Sequence, residues 1–512
     1  MHLPFFGKNA KREERRLAAA TFIIGIGVMA VEITASRLLA PYFGASMYVW
    51  TSLIVTVLLA MSVGYYLGGN AAAKGIGGDA VGYLACVAAS LLVMGMIAVP
   101  HFSSAISGLL VGVSSATVAL FVGSLLVALV VFATPVFLMA MAGPILLREW
   151  SALGDVGAVS GRYFAISTAG SVIGTVAPTL VLVPLIGARE TMYSVAAMFL
   201  LLAIFLLPKR RKFVALLAAG LAVVALSLPH SLPASVVMER ESPYQLIRVA
   251  QIDDGRRLLI FNEGSGIQSV YVPGGGRTGF YFDYAGILPL LRPEQKGPHK
   301  AVIVGFAGGS VAARYRSFAS GRDISITGVE VDPAVIETAR KYFGVDDAKV
   351  NIINQDGRLF FATTYDTFDV EFIDAYSTQL YIPPHLATGE FFALAKRRLN
   401  KDGVFAMNVN APGEDSRLLK AMANTVAGEF RYTMVVPIKQ SWNHLILASD
   451  APFDLPRVAY DVPDAYSDVK ASLLGAYEVT HDSRAEVFTD DRAPIEFLTD
   501  AMVLQQTWQH GN

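Results

Sequence analysis

"KAVIVGFAGGS", Lys300 to Ser310, runs an apolar segment straight into a glycine-rich turn, and its reading decides the fold of the second half of the chain. A short apolar run bounded by turn residues is the pattern of a buried strand, and a helical pattern starts at Ser310. Gly305, Gly308 and Gly309 follow that strand, where missing Cβ atoms let the backbone approach a ligand at a helix N-terminus. Downstream come "ISITGVEVD", a helix opened by Pro333, "KVNIINQD", "TFDVEFIDA", a helix from Thr388 and "GVFAMNV". This alternation predicts βαβ units and a mostly parallel sheet that binds ligands at the carboxyl ends of its strands. Upstream, Tyr244 to Val272 alternates short β-rich runs with turn residues such as Asp253, Asp254 and Gly255, and reads as a small antiparallel sheet.

The polar residues of this half gather at the expected strand ends. Glu330 and Asp332 close the second strand, 25 residues after Gly305, where an acid commonly holds both hydroxyls of a ribose. Asp356 ends the third strand in "NQDGRLFF" and Asp374 ends the fourth. Each acid alone reads as a cap or a solvated strand end. Glycines, acid, acid and acid on four successive strand ends are much harder to dismiss as caps.

The first half has a different solvent. The chain is 54% apolar and 16% charged, and of its 42 Asp and Glu only Glu32, Asp79, Glu149, Asp155 and Glu190 lie between Leu17 and Pro208. Seven apolar runs approach the roughly 20 residues that cross a hydrocarbon core of about 30 Å. They are Leu17 to Ala40, Val49 to Gly69, Val81 to Pro100, Thr117 to Met141, Gly161 to Leu185, Ala188 to Leu207 and Phe213 to Pro229. Ser103 to Ala116 is a candidate re-entrant piece or the start of an eighth span. Domain expectations follow: 1–230 transmembrane, 231–298 a small β subdomain, 299–450 a Rossmann-like domain of the class I methyltransferase type, and 451–512 a C-terminal extension.

Sidedness carries a conflict. Lys8, Lys11, Arg12, Arg15 and Arg16 before the first span and Lys209 to Lys212 before the last both favour the cytoplasm. Seven spans in that orientation would export the C-terminal half. Within the spans, Gly64 and Gly68, and Gly170 and Gly174, have small-xxx-small spacing and read as helix packing. Glu32 is costly in a span and calls for a cavity or a partner such as Arg37 or Arg162. Cys86 is the lone cysteine and no His pairs at metal-ligand spacing, so no metal site is expected. A net charge of −1 without a basic aromatic stretch argues against nucleic acid as a partner.

Residues 242 to about 450 resemble the spermidine synthase (polyamine aminopropyltransferase) family. The resemblance is carried by "SPYQLIRV", "GFAGGS", "VEVD", "QDGR", "FIDAYS", "PPHLATGEFF" and "TDDRAPIE". With "ITASRLLAPYFG" and "GSVIGT" in the first half, the whole chain resembles the membrane-fused version, the fused MFS/spermidine synthases. The resemblance implies that Glu330 holds the ribose diol, that Asp356 and Gly357 recognise adenine, and that Gly305 to Gly309 pass beside the sulfonium of the co-substrate. It places Gln268 and Tyr281 at the edge of the site and makes Asp374 the catalytic acid, with Tyr376 beside it.

The chain also departs from that pattern. A second acid that holds the polyamine in soluble relatives stands here as Ser377, and an acid of the glycine loop that faces the aminopropyl ammonium stands as Gly308. Three functions follow. The protein transfers an aminopropyl group from decarboxylated S-adenosylmethionine to an amine, with Asp283, Asp490, Asp491 or Glu496 replacing the lost charges. Or it uses S-adenosylmethionine itself, moving a methyl or aminocarboxypropyl group to a membrane-associated acceptor. Or it binds a nucleoside without chemistry, as a sensor or transporter-linked domain. The expected setting is the lipid bilayer of the cell (inner) membrane with the catalytic half in the cytoplasm, where S-adenosyl compounds are made. Soluble relatives are often dimers or tetramers, so a homo-oligomer is expected.

Overall fold

The computed structural model describes residues 8–43, 47–110, 116–226, 234–262, 266–292, 298–318, 323–376, 380–499 and 502. The chain splits into two compact units: Met1–Leu232 with Glu241–Pro243, and Pro233–Arg240 with Tyr244–Asn512.

The first unit is helical. Its elements are α1 (Lys8–Phe43), α2 (Met47–Ala73), α3 (Asp79–Leu110), α4 (Ala116–Ala128), α5 (Thr134–Ser151), α6 (Val156–Ala177), α7 (Val183–Ile186), α8 (Ala188–Leu206) and α9 (Lys212–Leu226). Five-residue π-helical segments, Leu129–Ala133 and Pro178–Leu182, join α4 to α5 and α6 to α7. The second begins at a proline, whose missing N–H suits a break in the i→i−4 ladder.

Among the described residues six helices, not the expected seven, are long and apolar enough to cross a membrane: Ala10–Ala40, Met47–Ala73, Asp79–Ser103, Phe121–Ser151, Val156–Ile186 and Ala188–Leu206. The described part of the seventh run lies in α9, and 227–233 lie outside the described residues. The candidate piece from Ser103 begins as the tail of α3, and 111–115 lie outside the described residues.

Glycines set the helix spacing. A Cβ on Gly170 would lie 2.3 Å from the Phe22 carbonyl oxygen, and one on Gly174 2.1 Å from that of Ile26, so α1 and α6 touch backbone to backbone. Gly64 and Gly68 seat α2 on α5 in the same way, against Phe137 and Met141. At one end of the unit the Arg16 guanidinium donates to the Leu206 carbonyl at 2.7 Å and Arg148 donates to that of Ala72. At the other end Arg37 donates to the Pro243 carbonyl, and the Ala188 N–H donates to Glu241 at 2.6 Å. Arg162 pairs with Glu14, so both cations expected at Glu32 are engaged elsewhere.

The second unit is α/β. A four-stranded antiparallel sheet is built from β1 (Val236–Glu241), β2 (Leu246–Gln251), β3 (Arg257–Phe261) and β4 (Ile267–Tyr271) in sequence order. The short α10 (Phe282–Ala285) follows. The chain then alternates β5 (His299–Val304), α11 (Ser310–Phe318), β6 (Ile324–Glu330), α12 (Pro333–Tyr342), β7 (Val350–Asn354), α13 (Gly357–Thr363), β8 (Phe368–Ile373), α14 (Gly389–Lys396) and β9 (Leu399–Asn410). After α15 (Arg417–Ala427) come β10 (Tyr432–Pro437), β11 (Asn443–Ser449), α16 (Leu455–Asp461), α17 (Ser467–Leu474) and β12 (Tyr477–Glu478). The eight-stranded sheet has the order β12-β10-β11-β9-β8-β5-β6-β7, parallel from β9 to β7 and antiparallel beyond β9. Residues after 450 therefore add α16, α17, the edge strand β12 and the helical residues 495–499 to this same unit. The strand order reverses direction at β5, which lies between β6 and β8, and such a switch point opens a crevice at the carboxyl ends.

Overpacking a close helix contact costs about 1–3 kcal/mol. Gly174→Val should lower the unfolding temperature of the detergent-solubilised protein, whereas Gly161→Ala, with nothing within 4 Å of the added Cβ, should leave it nearly unchanged. Equal unfolding temperatures for the two would show that the α1–α6 contact is not close.

Candidate active site

Four neighbouring strands deliver the polar residues. β7, β6, β5 and β8 lie side by side, so Asp356, Glu330, Gly305 and Asp374 form a row across their carboxyl ends. Gly305 has φ +81°, and a Cβ there would meet the Asp374 carbonyl oxygen at 2.3 Å, so both the backbone conformation and the space require glycine. The Asp374 N–H donates to the Val304 carbonyl at 2.8 Å, holding the end of β8 against the end of β5.

Asp374 is the centre of a half-buried polar group. Tyr281 OH donates to its Oδ2 at 2.7 Å and Asn408 Nδ2 donates to its Oδ1 at 2.9 Å. Burial pushes its carboxyl up to about 6, with the two hydrogen bonds opposing the rise. Burial also raises the hydroxyls of Tyr281, Tyr315 and Tyr376 well above the usual tyrosine range, with Asp374 adding to each. A carboxylate among neutral tyrosines can take a proton near neutral pH.

Glu330 is 7% exposed, and burial pushes its carboxyl up to about 7. It accepts from the Ala307 N–H at 3.0 Å and the Asp332 N–H at 3.1 Å, which ties the glycine loop to the end of β6. Asp332 caps α12 through the Ala334 N–H at 2.9 Å. Asp356 caps α13 through the Leu359 N–H at 3.0 Å, and its second oxygen meets His385 Nε2 at 2.9 Å. The His385 hydrogen bond holds its carboxyl below the usual range. A Cβ on Gly357 would strike Val304 Cγ1 at 2.4 Å, so that position too must stay small.

The small sheet reaches the glycine loop through β4. The Gly308 N–H donates to Ser269 Oγ at 2.8 Å, and Ser310 Oγ bridges the Val270 N–H and carbonyl at 2.7 and 2.9 Å. A Cβ on Gly308 would meet that of Ser269 at 2.7 Å and the Phe343 ring at 3.0 Å, so the place of the missing loop acid is filled. Gln268, next to Ser269, lies at a bulge between β3 and β4, half-buried.

Other expected residues are committed elsewhere. Asp283 is fully buried and accepts from the Thr278 and Gly279 N–H groups at 3.1 and 2.9 Å, which makes it a loop staple and not a substrate ligand. Tyr376 OH donates to the Asn408 carbonyl at 3.0 Å and accepts from the Asn410 N–H at 3.1 Å, so its hydroxyl ties the loop to β9. Asp490 is paired with Arg358 at 2.5 Å and bonded by Thr388 at 2.8 Å. Ser377 lies outside the described residues. Sequence reasoning missed Asn408, Tyr315 and His385. An asparagine inside the apolar run "GVFAMNV" was a signal for the first; the other two gave none.

A strand-end row of glycine and acids at the switch point of a parallel sheet is where open α/β folds bind their ligands. Residues 288–451 match the family model described as spermine/spermidine synthase domain. The chain is 28% identical over 287 residues to a Bifidobacterium longum protein named "Probable polyamine aminopropyl transferase", covering 52% of this chain and 62% of that one. It is 28% identical over 283 residues to the polyamine aminopropyltransferase of Vibrio vulnificus, covering 52% and 91%. A spermidine synthase structure from Thermotoga maritima aligns with a TM-score of 0.36 at 20% identity, covering 52% of this chain and 84% of that one. Over residues 288–451 the chain is thus similar to spermine/spermidine synthase domains, and the helical half fits a fusion to such a domain.

Replacing Asp374 separates function from stability. A folded-state carboxyl at about 6, raised from 3.8, binds protons more tightly than the unfolded chain, so stability falls as pH rises from about 4 to 6. That difference is worth about 3 kcal/mol at higher pH. In Asp374→Asn the amide oxygen can accept from Asn408 while Tyr281 OH accepts from the amide nitrogen. The variant should unfold at an equal or higher temperature than the parent at pH 8 and lose that advantage at pH 4. A lower unfolding temperature at pH 8 would contradict the buried-charge argument.

Proposed function

We propose that the α/β unit transfers an aminopropyl group from decarboxylated S-adenosylmethionine to an amine acceptor, and that the helical unit holds the protein in a membrane. The observation that carries this is the half-buried Asp374 carboxyl, pushed up to about 6 between Tyr281 and Asn408 and placed against the glycine turn. In the proposed step Asp374 takes a proton from the acceptor ammonium. The freed lone pair attacks the carbon attached to the sulfonium, the C–S bond breaks, and its electron pair returns to sulfur, leaving methylthioadenosine. The sulfonium is already a good leaving group, so in-line positioning matters more than covalent help.

The rest of the row supplies that positioning. Glu330 takes the ribose hydroxyls, Asp356 and Gly357 the adenine, and Gly305 to Gly309 the sulfonium end, with Gln268 and Tyr281 at the rim. Ribose hydroxyls donating to Glu330 would favour its ionised form, so nucleoside binding lowers a carboxyl that burial has raised.

Two observations bear on sidedness. Six long helices return the chain to its starting side, which agrees with a cytoplasmic α/β unit and a cytoplasmic co-substrate. The basic Lys209–Lys212, which favours the cytoplasm ahead of a seventh apolar run, supports a second reading with the α/β unit outside. Cysteine introduced as Ser467→Cys, in a chain whose Cys86 is buried, should resist a membrane-impermeant thiol reagent on intact cells and react after lysis. Labelling of intact cells would establish the second reading.

Purified protein offered decarboxylated S-adenosylmethionine, putrescine, spermidine and native lipids should release methylthioadenosine. Its kcat/KM should fall about tenfold per pH unit below about 6, as Asp374 becomes protonated. S-adenosylhomocysteine formed from S-adenosylmethionine would replace the aminopropyl reading with methyl transfer. Nucleoside binding without either product would make the unit a sensor.

A further inference from the structure

The helical unit contains a cavity of about 1060 Å³ where α1 begins, α8 ends and α9 starts. Its charged wall is built by Lys11, Arg12 and Arg15 of α1 with Lys212 of α9. Lys11 and Arg15 are four residues apart and Arg12 and Arg15 three, so the three cations share one helix face, where like charges repel. The nearby Glu13 relieves little of this, because it pairs with Arg16 at 2.8 Å, and Arg16 also bonds the Leu206 carbonyl at 2.7 Å. Glu14 turns away to Arg162. Five cations and one carboxylate line the space, a net charge of +4, and Lys11, Arg12, Arg15 and Lys212 make no ion pair among the described residues.

The opposite wall is apolar. Leu201, Ile204 and Phe205 of α8 line it at helical spacing, and Leu201 is 66% and Phe205 52% exposed. A cationic wall facing an exposed aliphatic and aromatic stripe at the end of a membrane-length helix is complementary to an amphiphile with an anionic head. A free phosphate would satisfy the cations and leave the stripe bare. Clustered Lys and Arg at the end of such helices attract anionic lipids in general.

We propose that this cavity binds an anionic phospholipid, its phosphate held by Arg12, Arg15, Lys11 and Lys212 and an acyl chain laid along Leu201 and Phe205. This site is independent of the transferase reading, since it lies wholly within the helical unit. The bound phosphate relieves the repulsion along α1 and joins α1 to α9.

Purified full-length protein in detergent, titrated with phosphatidylglycerol or phosphatidylcholine, tests this by native mass spectrometry and thermal unfolding. Phosphatidylglycerol should bind saturably at one per chain and raise the unfolding temperature, and phosphatidylcholine should not. Arg12→Gln and Arg15→Gln should each weaken binding tenfold or more. Arg15→Lys should keep most of it, and Arg210→Gln, outside the cavity lining, should bind as the parent does. Unfolding curves without lipid distinguish a lost site from a misfolded chain. Equal binding of phosphatidylcholine, or unchanged affinity in both Gln variants, would overturn the proposal. Displacement of the lipid by millimolar inorganic phosphate would overturn the lipid assignment in favour of a simple anion site.

Discussion

The contact between Gly305 and the Asp374 backbone is the constraint on which the candidate site depends. β5 and β8 can end side by side only because position 305 has no Cβ and tolerates φ +81°. Their closeness seats the Asp374 side chain between Tyr281, which precedes β5 by many residues, and Asn408 on β9. A larger residue at 305 would push β8 outward and separate the carboxyl from both donors. The same turn carries Ala307, whose N–H reaches Glu330, so one glycine links the Asp374 end of the row to the Glu330 end.

Burial gives this arrangement its chemistry and also its cost. Glu330 is buried and Asp374 half-buried, and desolvation raises both carboxyls toward neutrality, where a proton can be exchanged. Asp356, at the wetter end of the row, is held low by His385. The difference follows from partners and solvent, since the residues are nearly the same acid. Glu371 shows the cost without a matching use: it is fully buried in β8, neither oxygen has a hydrogen-bond partner among the described residues, and burial drives its carboxyl well up.

The helical unit is governed by a different constraint, close backbone approach in an apolar setting. Gly170 and Gly174 on α6, and Gly64 and Gly68 on α2, let helices meet where side chains would hold them apart. The charged residues are driven to the helix ends, where Arg16, Arg148 and Arg162 find carbonyls or carboxylates and the basic start of α1 is left in excess.

Periodicity, apolar run length and the placement of glycines and acids were legible in the sequence because each is a local property. They determined the helical first half, the β/α alternation from His299 and the row of Gly305, Glu330, Asp356 and Asp374 at adjacent strand ends. Only the tertiary structure decided what those residues touch. Asp283 and Asp490, two candidate replacements for the lost acids, are consumed by the 278–279 turn and by Arg358. Asn408 and His385 enter from 34 and 29 residues away. The place of a loop acid at Gly308 is closed by Ser269 from a separate sheet. Burial, hydrogen-bond partners and excluded volume are set by segments far apart in the chain, so no local pattern could announce them.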